Sequence, residues 1–217
     1  MTLFQGQGLV CVRGEHMVFR GLDFELSSGG ALVLIGPNGA GKSSLLRLMA
    51  GLLKPYDGKL LWDGEDALDD FDEHGAHLHY VGHHDAVKAV LSVSENIKFW
   101  AELRGGGEDG IAEALATFDI KHLYDTPGQF LSAGQKRRVN LARIIAAPAP
   151  LWLLDEPTTA LDKATIKRLE AAIQKHRDGG GMVVLSTHAD VDMPGSEVLD
   201  VSRFATRNTA VDEQVMV

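Results

Sequence analysis

Cysteine occurs only once in these 217 residues, at Cys11, so no internal disulfide can form, as suits a reducing compartment. Long apolar runs are missing as well. Ala31–Ile35 has the length of a strand, whereas a membrane-spanning helix needs roughly 18 apolar residues or more. Positive charge is in deficit: 21 Lys and Arg against 30 Asp and Glu leave a formal net charge of −9. That balance argues against duplex DNA or RNA as the main partner, because phosphate binding is driven by cationic side chains. The opening residues Met1 to Gly6 lack the basic and apolar regions of a secretory signal. No repeat or low-complexity tract interrupts the chain. What remains is ordinary for a globular protein, with 45% hydrophobic and 24% charged residues. A soluble, cytoplasmic, acidic protein built as a single domain is expected.

Apolar and turn residues divide the chain into alternating elements. Leu9–Val12 and Val18–Leu26 read as strands around the turn Arg13-Gly14-Glu15-His16. Ala31–Ile35 is continuously apolar, as a strand covered on both faces requires. Ser43–Leu53 has helical spacing and stops at Lys54-Pro55-Tyr56-Asp57-Gly58. Short strands are expected at Lys59–Trp62 and His77–Val81, and helices at Ser92–Leu103 and Ile111–Phe118. Leu131–Ala147 and Lys163–Arg177 read as helices, Leu151–Leu154 and Met182–Ser186 as buried strands. The tail from Arg203 has little pattern and reads as peripheral. This order predicts an α/β fold with a mostly parallel sheet, an N-terminal antiparallel β region and an inserted helical subdomain. Residues 1–217 form one domain in this reading, with a core over about 1–83 and 139–217 and the helical insertion over about 84–138.

Gly36-Pro37-Asn38-Gly39-Ala40-Gly41-Lys42-Ser43 follows a buried strand and opens a helix, the setting of a phosphate-binding loop. Its glycines let successive backbone amides turn toward one concavity, and the helix adds its positive N-terminal end. Lys42 is placed to reach the β- and γ-phosphates of a nucleotide, the Ser43 hydroxyl to ligate Mg²⁺, and Ser44 to contact a phosphate oxygen. Leu151–Leu154 then ends in two carboxylates. Asp155 is placed to hold Mg²⁺ through water, and Glu156 to polarise the water that attacks the γ-phosphate. Many strands end in acidic turns without function; here the preceding phosphate loop gives the pair its meaning.

Leu131-Ser132-Ala133-Gly134-Gln135 runs into a helix, so Ser132 and the next amides form a second anion site at a helix N-terminus. With the phosphate loop, this resembles the signature motif Leu-Ser-Gly-Gly-Gln of ATP-binding cassette (ABC) ATPases, with Ala133 as one departure. The resemblance covers nearly the whole chain. It implies that Ser132, Gly134 and Gln135 meet ATP, that Thr159-Ala160-Leu161-Asp162 is the D-loop, and that His188 in Ser186-Thr187-His188 senses the γ-phosphate. It also implies a homodimer, in which each ATP lies between one phosphate loop and the other subunit's signature motif. Where the family stacks an aromatic on adenine, this chain carries Arg13, whose guanidinium can stack instead. Where it carries the Q-loop glutamine, Tyr80-Val81-Gly82 is followed by His83 and His84, and His83 is the candidate metal-side ligand.

These departures, with Tyr80–Lys88 and Leu91–Trp100, are similar to one subfamily, the ATP-binding subunits of the cytochrome c maturation haem export system. That likeness implies docking on small membrane subunits of the CcmB and CcmC kind, at the cytoplasmic face of the bacterial inner membrane. It also implies ATP hydrolysis that drives release of a haem-loaded periplasmic chaperone. An ATPase of another small exporter is the nearest alternative. A soluble ABC ATPase acting on nucleic acid or ribosomes usually has long insertions or two cassettes, and this chain has neither. A phosphate-loop kinase leaves Ser132–Gln135 and His188 without a role.

Five of the nine histidines, His74, His77, His79, His83 and His84, lie within eleven residues, which raises a zinc or haem site as an alternative. Against it, two of them fall in the Q-loop and no Cys or Met is near. Leu78 and Tyr80 fit a core-facing alternation, so the intervening histidines are expected on a solvated strand edge.

Overall fold

A computed structural model describes residues 2–187 and 191–206. Alternating apolar residues at the N-terminus build a long hairpin, β1 (Leu3–Arg13) against β2 (His16–Ser27), antiparallel from Leu3↔Ser27 to Arg13↔His16. Register shifts between Gly6 and Val12 bend it, and Phe4, Leu9, Phe19, Leu22 and Leu26 turn inward. Cys11 is among these buried residues, and burial pushes its thiol pKa up.

The next strand, β3 (Ala31–Ile35), leads into α1 (Lys42–Met49). β4 (Asp57–Trp62) returns to pair with β1, and β5 (Glu65–Asp66) with β4, giving an antiparallel sheet in the order β2-β1-β4-β5. A short α2 (Phe71–Ala76), capped by Asp70, precedes β6 (Leu78–Val81). Three helices follow: α3 (Val93–Leu103), α4 (Glu108–Thr117) and α5 (Ala133–Ala146). The chain then forms β7 (Leu151–Asp155), α6 (Lys163–Asp178), β8 (Met182–Ser186) and β9 (Glu197–Asp200). β6-β7-β8-β3-β9 is a five-stranded sheet in which every described pairing is parallel.

The parallel sheet is the middle layer, and its side chains show why. Leu151, Leu153 and Val184 join one apolar cluster with α1 and the antiparallel sheet. Trp152, Leu154, Val183 and Leu185 join the other, with α3, α4, α5 and α6. A period of two along each strand thus feeds both faces, which is why these runs are apolar throughout. Each Leu so buried contributes about 1.5–3 kcal/mol relative to exposure.

Three expectations are corrected here. α1 ends at Met49, not Leu53, because Gly51 takes φ +71° and turns the chain. Of the tail after Arg203, the described residues Phe204–Thr206 pack on the hairpin: Arg20 N–H donates to Phe204 O at 3.0 Å, and Thr206 Oγ1 donates to Met17 O at 2.6 Å; residues 207–217 lie outside the described residues. His74 and His79 are buried rather than solvated. The His74 ring N–H donates to Met49 O at 2.8 Å and that of His79 to Ala147 O at 2.9 Å, while His77 stacks on Trp62 with centroids 4.5 Å apart. Each histidine serves a different neighbour, and among the described residues no group of His, Cys, Asp or Glu is arranged to hold a metal ion.

Candidate functional site

The loop between β3 and α1 curls because three of its residues take positive φ that only glycine adopts freely: 135° at Gly36, 82° at Gly39 and 103° at Gly41. Space matters as well as angle, since a Cβ on Gly41 would lie 2.7 Å from Val18 Cγ1. Gly41 caps α1 with no side-chain hydrogen bond, so the first amides of the helix keep their capacity for an anion. Lys42 is 7% exposed and lies across the loop, its Nζ donating to Gly36 O at 2.6 Å and Pro37 O at 3.3 Å.

The end of β7 meets this loop. Asp155, 1% exposed, accepts at Oδ1 from Ser43 Oγ at 3.0 Å and from Ser186 Oγ at 2.7 Å. β7 and β8 bring Asp155 and Ser186 into register, so the second contact follows from strand pairing. Glu156 then takes φ +48°, a left-handed conformation that costs an L-residue about 1–2 kcal/mol. Its N–H donates to Ser186 O at 3.0 Å and reaches Ser186 Oγ at 3.2 Å.

The result is a cavity of ≈ 520 Å³ lined by the loop residues from Asn38 to Ser44, with Glu156, His83, Thr159 and Val18 around them. Hence Lys42, Ser43, Ser44, Glu156 and His83 come together, with Asp155 buried behind Ser43. His83 lines the cavity and His84 does not, although their rings meet edge to face at 5.4 Å. Arg13 is exposed at the tip of the β1–β2 hairpin, and it is Val18 of that hairpin that lines the cavity. His188 lies outside the described residues. A larger cavity of ≈ 970 Å³ opens between α4, α5 and α6 and holds none of the motif residues.

Ser132, Gly134 and Gln135 are elsewhere. Ser132 caps α5 in a capping box with Gln135, whose side chain accepts from Ser132 N–H at 2.8 Å. None of the three lines the phosphate-loop cavity. Ala133 is helical and exposed, so its methyl meets no backbone strain. Gly134 is confined, since a Cβ there would lie 2.8 Å from Ala160 O. Asp162 caps α6 by accepting from Thr165 N–H at 2.7 Å and pairs with Arg138 at 3.0 Å. The Thr165 contact holds its carboxyl below the usual carboxylate range.

Nearly the whole chain has known relatives. The family model described as ABC transporter matches residues 19–159. The "Cytochrome c biogenesis ATP-binding export protein CcmA" of Paramagnetospirillum magneticum is 59% identical over 208 residues, covering 94% of this chain and 96% of that one. The protein of the same name from Rhodospirillum rubrum is 58% identical over 204 residues, covering 94% and 88%. The chain belongs to the ABC transporter family, in its CcmA branch. Among solved structures, a bacterial Atm1-family ABC exporter with ATP bound superposes with a TM-score of 0.78 at 27% identity, covering 92% of this chain and 37% of that one. An ATP-binding protein assigned to an ABC transporter of Pyrococcus furiosus gives a TM-score of 0.82 at 23% identity, covering 94% and 100%, a likeness of fold. As a member of this family, the chain is an ATP-binding subunit.

Two residues of the site escaped the sequence. Ser186 stands in the sequence as the polar end of an apolar strand and the first residue of Ser186-Thr187-His188, and neither marks its bond to Asp155. Arg137 lies in the basic run Lys136-Arg137-Arg138, whose composition does not single it out.

Proposed function

We propose that this chain is the ATP-hydrolysing subunit of a transporter that powers haem export, or release of a haem-loaded chaperone, in cytochrome c maturation. The observation that carries the reading is the convergence of Lys42, Ser43 and Glu156 on one cavity, with Asp155 behind them, in a chain 59% identical to a cytochrome c biogenesis export protein. In this reading the backbone N–H groups of the Gly36–Gly41 loop, Pro37 having none, cradle the phosphates and Lys42 swings from its loop carbonyls to the β- and γ-oxygens. Glu156 takes the proton of the attacking water as general base, and His188 contacts the γ-phosphate.

The donor set suits Mg²⁺. Ser43 Oγ and Asp155 Oδ1 are hard oxygens 3.0 Å apart, the type this ion prefers. When bound, Mg²⁺ would be held by Ser43 and Asp155 and would supply positive charge that neutralises the phosphates. An imidazole is a poorer ligand for so hard an ion, so His83 is better suited to a hydrogen bond with water or phosphate.

Ser132, Gly134 and Gln135 lie outside this cavity, which supports a homodimer in which they close the partner copy's site. Asp162 belongs to the loop at that junction. Arg13 remains a candidate for stacking on adenine from the hairpin tip. No described helix is long and apolar enough to cross a membrane, and in this reading membrane attachment comes through subunits of the CcmB and CcmC kind. The helical segment of residues 84–138 and its exposed Val90 and Phe130 form the docking side.

The test is Glu156→Gln in cells that also make the membrane subunits. ATP binding is expected to persist while turnover falls at least a hundredfold, with an ATP-bound dimer trapped and co-purifying with small membrane proteins in detergent. Unchanged hydrolysis would remove Glu156 as the base; recovery with ribosomes or DNA instead would overturn the transport reading.

A further inference from the structure

Arg137, at the start of the second turn of α5, is 3% exposed, and all five of its N–H donors meet oxygens. Nη1 donates to Gly82 O at 2.9 Å and to Asp85 Oδ1 at 3.1 Å. Nη2 donates to Asp155 O at 2.9 Å and Glu156 O at 2.7 Å, and Nε to Pro157 O at 3.2 Å. A guanidinium has five N–H groups and no acceptor, so its capacity is filled. One planar group therefore joins three segments: the helix begun by Ser132, the loop that carries His83, and the turn that carries Glu156.

We propose that Arg137 is a positioning residue for ATP hydrolysis: it holds Glu156 in its left-handed turn and ties that turn to the 82–85 loop through Asp85. The proposal rests on the ATPase reading above. Its first half follows from the carbonyls of Asp155, Glu156 and Pro157. Glu156 has φ +48°, a conformation that persists only where the surroundings over-determine it. Three consecutive carbonyls bonded to one buried cation supply that constraint. The second half follows from Asp85. Its Oδ1 accepts from Arg137 and, one turn further along α5, from Asn140 Nδ2 at 3.1 Å. No rotatable bond separates Nη1 from Nη2, so a shift of the 82–85 loop is passed to the turn at Glu156 without slack. A lysine, with one ammonium on a flexible stem, cannot span the two sides.

The experiment compares Asp85→Ala, Arg137→Lys and Arg137→Gln in the full-length protein, reading ATP affinity, kcat, thermal unfolding and amide exchange. Asp85→Ala retains four of the five bonds and stays informative if the Arg137 variants fail to fold. We expect its Kd for MgATP within about twofold of wild type and its kcat lower on the order of tenfold, as small misplacements of a catalytic group cost that much or more. Arg137→Lys is expected to fall further and not to rescue Arg137→Gln. In Asp85→Ala, amides at 156–159 are expected to exchange faster although the substitution does not touch them. Unchanged kcat in folded Asp85→Ala would overturn the proposal, as would acceleration confined to residues 82–85. A wild type that hydrolyses no ATP would refute the ATPase reading, while the exchange pattern would still decide whether Arg137 links the two segments.

Discussion

Ser43 Oγ donates to Asp155 Oδ1 across 3.0 Å, joining residues 112 positions apart. The contact closes the first turn of α1 onto the end of β7, and the same carboxylate oxygen also takes the Ser186 hydroxyl. Asp155 thus has two tasks that substitution can separate: an acceptor for two hydroxyls, and a charge for a cation.

Asparagine keeps the acceptor and removes the charge. Asp155→Asn is therefore expected to unfold in urea within about 1 kcal/mol of wild type, whereas Asp155→Ala leaves two buried hydroxyls unpaired and costs about 1–3 kcal/mol. In binding assays with and without Mg²⁺, the asparagine variant is expected to lose the gain in ATP affinity that Mg²⁺ confers. Mg²⁺-dependent turnover at the wild-type rate in Asp155→Asn would show that its charge holds no metal.

The two small residues after Ser132 are not equivalent. Ala133 is exposed in the first turn of α5, so Ala133→Gly is expected to cost less than about 1 kcal/mol. Gly134 faces a backbone carbonyl, that of Ala160, which itself holds φ +62°. Gly134→Ala must push that segment away, at about 1–3 kcal/mol, and lower turnover by moving the loop that ends at Asp162. Parallel unfolding and ATPase measurements check both. A Gly134→Ala protein with wild-type stability would mean that the contact yields without cost.

The parts of this molecule legible from sequence are those built by neighbours in the chain. Gly36–Ser43 folds as a loop because its own glycines permit the angles, and the caps Ser132 and Ser92 act three residues away. Ser186 and Arg137 act across 31 and 18 to 55 positions, and no local pattern marks them. His79 shows a different limit. Alternation separates the two sides of a strand but does not say which is wet, and β6 is covered on both, by Leu78 packing toward one cluster and Val81 toward the other. The end of α1 is hidden for a third reason: Leu52 and Leu53 continue the apolar spacing after Gly51 has already turned the chain.

The burial of His79 sets an acid limit on stability. Desolvation lowers its pKa from 6.5 to about 3, reinforced by the nearby Arg104 and Arg143 cations and by His176, and opposed by its bond to Ala147 O. The folded protein therefore keeps this ring neutral where the unfolded chain protonates it. Between these two values the unfolded state binds more protons, so stability rises with pH and is lost as pH falls below about 6.5. One such group contributes a slope of about 1.4 kcal/mol per pH unit. Burial lowers the pKa of His74 and His176 as well, and both act in the same direction. His79→Gln retains an N–H for Ala147 O but does not titrate. Urea unfolding at pH 7, 6 and 5 is expected to show wild type losing about 2 kcal/mol more than His79→Gln over that range. Carboxylates common to both proteins cancel in this difference. Parallel stability curves would trace the acid sensitivity to other groups and mean that His79 takes up its proton equally in the folded and unfolded states.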